Sequence, residues 1–462
     1  MARCTLCLAA ASCACAAAGG VSELGSLLRG KMILAPLTRG GNQPFRRLCA
    51  SLGAEAAVSE MIFARALLRG EAVERARLRR APNEALFGVQ IATNDVEEGV
   101  AAAALAAASG AQWVDLNCGC PIHEAARRGL GAALLRRPER LAELVGGIAS
   151  RSPLPLTVKV RLAADGGEVN VREVARLLRE AGAAGVTVHG RTAADRYSRA
   201  ADWDIIQRVV EDGEAVGGGM AVIGNGDIAN HAQAKLRMDT ARVDAVMVGR
   251  GALTKPWLFG EFRDGAAWGP DARERVEIYR RLTCYMKEYF GDDERGRRKA
   301  WNFLPWHFDF FCRYRPELDD ETALTSLQTR YAQGSLSLPP VDRLLTYSGT
   351  DVHELIAAAL WEASSDQEAF DKLSAVAEGP QLAELILAGK QAESSASGEQ
   401  DELANIPSSE VGPGQGAQRT RRKRRRAPAV QRTDEEIAEL RAARAEKRRL
   451  LGTPAHVDGF RK

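Results

Sequence analysis

The sequence has little net charge, no long apolar run and no pattern of paired cysteines. Its 462 residues carry a formal net charge of +3, so any affinity for nucleic acid must come from local basic patches. No apolar run is long enough to cross a bilayer, and we therefore expect no membrane partner. The nine cysteines are an odd number scattered over a large chain, which favours a reducing compartment over a disulfide framework.

Four cysteines lie close to the start of the chain, at Cys4, Cys7, Cys13 and Cys15. Their spacing could hold zinc, but no histidine or paired acidic ligand lies nearby, so we predict no metal site. The segment also lacks a clear signal-peptide cleavage pattern. We therefore predict a disordered leader over residues 1–30. The expected location is the cytoplasm, the nucleus or both, with an organelle left open.

Short apolar runs alternate with helical stretches from residue 31 to about residue 265. Continuous apolar runs with β-branched residues are typical of strands that are buried on both faces. Eight strand–helix units in about 250 residues predict a closed (β/α)8 TIM barrel over residues 31–265. A doubly wound open sheet is the alternative, which the polar residues after nearly every strand disfavour. The eight runs cover residues 32–35, 56–59, 86–91, 113–116, 156–160, 185–188, 221–224 and 244–248.

Aromatic and basic residues mix at helical spacing from residue 271 to about residue 363, which predicts a smaller all-helical domain. Most of the rings should form its core, while the basic residues could face RNA phosphates. Residues 364–462 are predominantly polar and are predicted to be mostly disordered. The basic run at 419–426 is either a nuclear-localisation signal, an RNA-binding arm or a solvated charge run. The basic residues of the helical domain are Arg295, Arg297, Arg298, Lys299, Arg313 and Arg315.

The polar residues at the strand ends suit a flavin. Lys159 can offset negative charge on the pyrimidine edge of a reduced flavin, and Gln90 can hydrogen-bond the polar edge of its ring. Two late turns, Asn225-Gly226-Asp227 and Gly249-Arg250-Gly251, can present backbone N–H groups and a cation to a phosphate. Phosphate sites of such barrels lie after strands seven and eight.

Six motifs in this order resemble the tRNA-dihydrouridine synthase family, from residue 31 to about residue 363. Each motif alone is a weak signal, whereas the six together at barrel spacing are specific. Residues 301–314 further resemble the eukaryotic subgroup that acts on the variable-loop uridine of tRNA. The motifs are Ala35-Pro36-Leu37, Asn117-Cys118-Gly119-Cys120-Pro121, Val158-Lys159-Val160-Arg161, Val188-His189-Gly190-Arg191-Thr192, Gly224-Asn225-Gly226-Asp227-Ile228 and Gly249-Arg250-Gly251.

The resemblance implies that NADPH reduces FMN, that hydride passes to C6 of a uracil, and that Cys120 protonates C5. A thiol can give and regain a proton near neutral pH, and Cys118 is expected to be structural. Asn117 would orient the base, while Arg161 and Arg191 either bind substrate or are only ion-paired. The expected partner is tRNA, with messenger RNA as a further candidate, and the protein is expected to be a monomer. The implied flavin contacts are Pro36, Leu37, Thr38, Gln90, Lys159, His189, Asn225, Gly226, Asp227, Gly249 and Arg250.

Two segments depart from the family pattern, namely 60–63 and 129–133. Both are expected near the substrate, so they bear on the choice of target rather than on the chemistry. Two other functions remain as alternatives. A flavin barrel acting on free pyrimidines is disfavoured by the helical domain and the basic tail. An RNA-binding protein on a barrel that has lost its activity is disfavoured by the intact set Cys120, Lys159 and His189.

Overall fold

The computed structural model of the chain describes residues 23–216, 219–315, 338–380 and 382–384. The basic run at 419–426 and the first four cysteines lie outside these residues. Residues 23–28 are helical, and Leu24 and Leu28 are buried among side chains that line the barrel interior. The leader boundary predicted at residue 30 is therefore too late, because this helix covers one end of the barrel.

Eight parallel strands form the closed barrel that the sequence predicts. The ring closes because β2 pairs with both β1 and β4. A ninth strand of two residues, β3, adds to the end of β4 through the pairs Ile62–Ile91 and Phe63–Ala92. The strands are β1 Met32–Leu34, β2 Ala56–Val58, β3 Ile62–Phe63, β4 Leu86–Ala92, β5 Trp113–Cys118, β6 Leu156–Arg161, β7 Gly185–His189, β8 Ala221–Asn225 and β9 Ala245–Val248.

Helices surround the strands, and several begin at side chains that cap them. Asn42, Asp95, Asp202 and Asn230 each accept a hydrogen bond from the backbone N–H three residues later, which satisfies a donor that the first helical turn leaves free. The helices are α1 Gln43–Ser51, α2 Ala64–Leu68, α3 Ala72–Arg77, α4 Val96–Ala108, α5 His123–Arg127, α6 Pro138–Ala149, α7 Val171–Glu180, α8 Trp203–Ala215, α9 His231–Ala241, α10 Arg250–Thr254 and α11 Leu258–Asp264, with a 3-10 helix over Gly131–Arg136.

The barrel has an inner and an outer layer of buried side chains because successive residues of a strand point to opposite faces. Leu116 and Val158 pack outward against the helices, whereas Trp113 belongs to the cluster inside the barrel. Trp113 fits only because residue 88 is a glycine, since a Cβ there would lie 2.2 Å from the indole ring. The inner layer thus leaves polar side chains to fill the end of the barrel where the strands finish.

The described part of the second domain, residues 271–315 and 338–380, is all-helical, as predicted, and its aromatic side chains form its core. Tyr279 stacks on Phe311 with ring centroids 4.5 Å apart, and a capping box of Asp271 and Glu274 starts its longest helix. The helices are α12 Ala272–Phe290, α13 Glu294–Ala300, α14 Leu304–Phe311, α15 Pro340–Leu345, α16 Thr350–Glu362 and α17 Asp366–Glu378.

The domain boundary predicted at residue 363 is too early, because α17 belongs to the helical domain. Its residues Ala369, Leu373 and Ala377 are buried in the shared core, while Asp366 pairs with Arg280 of α12. The remaining residues of α17 are mainly polar and face solvent, which explains why the sequence resembles a linker at this point. Among the described residues, no helix is long and apolar enough to span a membrane.

A buried ion pair joins α1 to the segment before β4. Arg46 and Glu84 are each 1% exposed, with Nε and Oε1 2.7 Å apart. The other guanidinium nitrogens of Arg46 donate to the carbonyls of Gly41 and Arg79. Removal of either partner would leave an uncompensated charge in the interior, so the loss of one partner is strongly destabilising.

The Glu84→Ala substitution should therefore lower the free energy of unfolding by about 3 kcal/mol, as expected when a buried charge loses its partner. The matched control is Glu71→Ala, which removes the exposed partner of Arg69 and should cost less than about 1 kcal/mol. Urea unfolding of the three proteins measures both changes. Equal losses in the two variants would contradict this account.

Candidate active site

The segment after β5 holds Cys120 at the mouth of the barrel. The backbone N–H groups of Gly119 and Cys120 donate to Oδ1 of Asn117 at 3.3 and 3.0 Å. On its other side, the Cys120 carbonyl accepts from the N–H of Ala132 at 3.1 Å. Gly131 has φ +64°, and a Cβ there would lie 2.5 Å from the Cys120 carbonyl oxygen. The cysteine is thus fixed from both sides, and residue 131 has to be a glycine.

Buried amides connect Asn117 to the interior of the barrel. Asn117 Nδ2 donates to Oε1 of Gln90 at 2.7 Å, and Gln90 Nε2 donates to Oδ2 of Asp115 at 2.7 Å. The other oxygen of Asp115 accepts from the hydroxyl of Thr157 at 2.6 Å. Burial raises the pKa of Asp115, while the two hydrogen bonds act in the opposite direction. Gln90 therefore uses its carbonyl oxygen and one amide hydrogen within the protein.

Lys159 lies directly across the sheet from Asn117, because the two residues are partners in the β5–β6 pairing. Its ammonium donates to Oδ1 of Asn225 at 3.1 Å. The amide group of Asn225 donates in turn to the carbonyl of Met247 at 2.7 Å. Burial lowers the pKa of Lys159 to about 8, and the positive charge of Arg161 contributes to this shift. A cation at this position gains from any anionic group that binds beside it.

His189 is paired in register with both Arg161 and Asn225, so the sheet brings these predicted residues together. Burial holds the pKa of His189 well below its usual range, and the surrounding cations contribute. The imidazole is therefore neutral at physiological pH. Its Nε2 lies 3.4 Å from Nη1 of Arg191, which favours Nε2 as the acceptor.

Asp227, after β8, forms ion pairs with the arginines that follow β7 and β9. Arg191 Nη2 donates to both of its carboxylate oxygens at 2.7 and 2.6 Å, and Arg250 Nη2 donates at 3.2 Å. The side chain of Arg191 is 0% exposed. Of the two roles considered for Arg191, the structure shows the ion pair, and its guanidinium has no surface left for a substrate. The Asp227 carboxylate would repel a phosphate, so its contact with a cofactor would have to come from the backbone.

Arg161 braces the cysteine segment from β6. Its Nε donates to the carbonyl of Gly119 at 2.9 Å, and its Nη1 donates to the carbonyl of Thr192 at 2.7 Å. Burial lowers the pKa of its guanidinium. Arg161 therefore connects the Cys120 segment with the segment after β7, and its contact with a substrate stays a prediction.

The remaining predicted contacts lie on the far side of the mouth. Pro36 and Leu37 are half-buried after β1, and Thr38 is exposed. Gly249 approaches Leu37 so closely that a Cβ would lie 3.1 Å from its side chain, and Gly226 has φ +130°. These glycines keep the backbone accessible beside Leu37 and His189, where a ring system can approach it closely.

Sequence reasoning missed Tyr197 and Asp115, and it named Gly131 only as part of the 129–133 segment. Tyr197 is 51% exposed and lies beneath the guanidinium of Arg250, whose carbon is 4.1 Å from the ring centroid. Its ring also stacks against His189 with centroids 6.4 Å apart. The available signal was an aromatic residue in the polar segment after β7, at the end of the barrel where sites are built.

Residues 33–324 match the family described as dihydrouridine synthase. The chain belongs to this family. It is 39% identical over 293 residues to the human protein named tRNA-dihydrouridine(47) synthase [NAD(P)(+)]-like, a match covering 63% of this chain and 44% of that protein. It is 37% identical over 302 residues to tRNA-dihydrouridine(47) synthase [NAD(P)(+)] of Coprinopsis cinerea, covering 62% and 44%. The chain thus matches less than half the length of each of these relatives. The resemblance to this family that the motifs predicted is confirmed, and the names of both relatives agree with the predicted subgroup.

The buried Lys159 should make the free energy of unfolding of the flavin-free protein vary with pH in the alkaline range. Its pKa is about 8 in the folded protein against 10.5 for an ordinary lysine, so the unfolded chain binds more protons between these values. The free energy of unfolding, relative to that of Lys159→Met, should therefore rise by at most about 3 kcal/mol across this range. Chemical unfolding at several pH values measures it, with the exposed Lys235→Met as control. If the difference in the free energy of unfolding between the wild type and Lys159→Met did not change with pH, burial would not lower the pKa of Lys159.

Proposed function

We propose that this protein reduces a uridine of tRNA to 5,6-dihydrouridine, using FMN and NADPH. The observation that carries the proposal is the fixed position of Cys120 at the mouth, beside Lys159 on the adjoining strand. Family membership supports the reaction, and the names of the relatives support uridine 47 of the variable loop as the target. Those names also support NADPH or NADH as the reductant.

The residues of the mouth fit a flavin mononucleotide. Lys159 provides a buried cation held by Asn225, and the turns at Gly226 and Gly249 leave space for close backbone contact. Arg250 is 17% exposed at its side chain, which leaves it a surface for a phosphate. When bound, the flavin would supply the hydride that adds to C6 of the uracil ring.

Cys120 suits the protonation of C5 because its thiol keeps its proton at neutral pH. Burial raises the pKa of Cys120 above its usual value. The backbone N–H of Ile122 and the positive charges of Arg161 and Lys159 act in the opposite direction, so they stabilise the thiolate that remains after proton transfer. The cysteine is thereby an acid before the transfer and a tolerated anion after it.

A series of arginine and aromatic side chains beside the mouth supports RNA as the partner. The Arg39 guanidinium lies 5.8 Å from the ring centroid of Trp306, Trp306 packs on Phe310 at 4.8 Å, and Arg313 lies over Phe310 at 4.3 Å. Such alternating groups stack with nucleotide bases and attract phosphates. A uridine must leave its stack to enter the mouth, and contacts of this kind would hold the neighbouring RNA.

The Cys120→Ala variant tests the proposed acid. It should still bind flavin and be reduced by NADPH, whereas its rate of dihydrouridine formation on tRNA should fall by about 100-fold or more. The matched control is Cys118→Ala, because Cys118 is fully buried in the outer core and should keep activity. Mass spectrometry of digested tRNA measures the product. Full activity in Cys120→Ala would remove the cysteine from the mechanism.

The same assay separates the alternatives. Reduction of free uracil or orotate with none of tRNA would identify an enzyme of free pyrimidines. Purified protein without flavin absorbance, and without flavin uptake on titration, would favour an RNA-binding protein without activity. Either result would overturn the proposal.

The Arg250→Met variant tests the predicted phosphate contact. Loss of a charge-assisted hydrogen bond should raise the dissociation constant for FMN by at least about tenfold. The affinity for riboflavin, which lacks the phosphate, should stay unchanged. Quenching of flavin fluorescence on titration measures both constants, and Arg242→Met is the matched control at an exposed position. An equal loss of affinity for the two flavins would show that Arg250 does not contact the phosphate.

A further inference from the structure

A second cavity adjoins the Cys120 segment at the ends of β3 and β4. It has a volume of about 450 Å³ and is lined by residues that include Phe63, Asn94, Arg128 and Leu130. Phe63 and Leu130 also pack in one small apolar cluster together with Cys120. The cavity and the reactive cysteine therefore share a wall.

The lining of this cavity combines an aromatic ring with several cations. The guanidinium carbon of Arg128 lies 5.0 Å from the ring centroid of Phe63. Arg65 and Arg69 line the same space, and their side chains are 66% and 59% exposed. Asn94 adds an amide whose Nδ2 donates to the carbonyl of Arg128. A stacked arginine–aromatic pair, further guanidinium groups and an amide are the groups that bind a base and its phosphate.

The arginines form ion pairs, but these pairs are exposed to solvent and contribute little free energy. Arg65 pairs with Glu98, Arg69 with Glu71 and Arg128 with Glu124, and one side chain or both of each pair are well exposed. Exposed ion pairs contribute little free energy. A phosphate, which binds an arginine through two hydrogen bonds, can therefore replace the carboxylate or share the guanidinium with it.

We propose that this cavity binds the nucleotide next to the target uridine, with its base against Arg128 and Phe63 and its phosphate on the arginines. The inference rests on the proposed function. An RNA strand whose uridine enters the mouth continues on both sides of it, so one neighbour must pass over the residues that adjoin Cys120. Leu130 belongs to the 129–133 segment, which Arg128 directly precedes, and Phe63 belongs to the 60–63 segment, so both departures from the family pattern meet here.

A larger cavity does not offer the same role. It has a volume of about 540 Å³ and is lined by residues that include Arg75, Arg79, Arg80 and Tyr289. It lies between α3 and the end of α12, and none of its lining residues belongs to the Cys120 segment. Of these two cavities, the smaller is therefore the one that can contact a neighbour of the reacting base.

The test combines a protein substitution with an RNA substitution. The flavin-loaded wild type, Arg128→Gln and Arg127→Gln are titrated with unmodified tRNA and with tRNAs that lack the base on either side of the target uridine. Arg127 is the matched control, because it also pairs with Glu124 but does not line the cavity. Arg69→Gln provides a second variant from another part of the lining.

Arg128→Gln should bind intact tRNA about tenfold more weakly, the size expected for one stacked base. For the wild type, one of the abasic tRNAs should bind about tenfold more weakly than intact tRNA. For Arg128→Gln, that abasic tRNA and intact tRNA should bind with equal affinity. This non-additivity shows that the missing base and the missing guanidinium belong to one contact. Arg127→Gln should bind each tRNA with the affinity of the wild type. Arg69→Gln should bind every tRNA more weakly than the wild type does.

Three outcomes would overturn the inference. The first is an abasic penalty that is equal in the wild type and Arg128→Gln. The second is slower reduction of the flavin by NADPH in Arg128→Gln without RNA, which would assign the cavity to the dinucleotide. The third is a wild type that forms no dihydrouridine, in which case the proposed function fails and the inference fails with it. The first two leave the proposed function intact.

Discussion

The site depends on one buried carboxylate. Asp115 is a β5 residue facing the interior, and its two oxygens accept from Gln90 and Thr157. Because Asp115 fixes which end of the Gln90 amide is the donor, the carbonyl of Gln90 points at Asn117. Asn117 then presents its own oxygen to the N–H groups that start the cysteine segment. A buried polar network of this kind holds a single arrangement because an unpaired member would be costly.

A second constraint joins the mouth to the helical domain. Arg39 adopts a positive φ of 70°, and its backbone N–H donates to the buried carboxylate of Glu60 at 2.7 Å. Its side chain donates to the carbonyl of Asn302 in the other domain. One residue thus connects β1, the segment after β2 and the helical domain. The aromatic side chains of α14 are thereby set beside the mouth, where a bound RNA would need them.

The sequence predicted the barrel because eight buried runs recur at the spacing of strand–helix units. It also predicted which residues meet, because the ends of parallel strands lie at one face: His189 is paired in register with Arg161, which follows Lys159 two positions later on β6. The missed elements have weak local signals. β3 has two residues, and α17 buries one face only. Pairings such as Arg191 with Asp227 depend on side-chain directions at the ends of two neighbouring strands, and no spacing in the chain encodes those directions.

The mouth combines a neutral histidine with several cations, and their electrostatic interactions determine what each group can bind. Lys159, Arg161, Arg191 and Arg250 all lower the pKa of His189, in addition to the larger effect of burial. Because burial and the surrounding cations together keep this imidazole neutral, it can offer or accept a hydrogen bond without adding charge. The same cations favour anionic groups on a bound cofactor and on RNA, since the carboxylates of Asp115 and Asp227 already accept hydrogen bonds from protein groups. Cys120 lies at the edge of this field, where burial keeps its proton on and the cations stabilise the anion left behind.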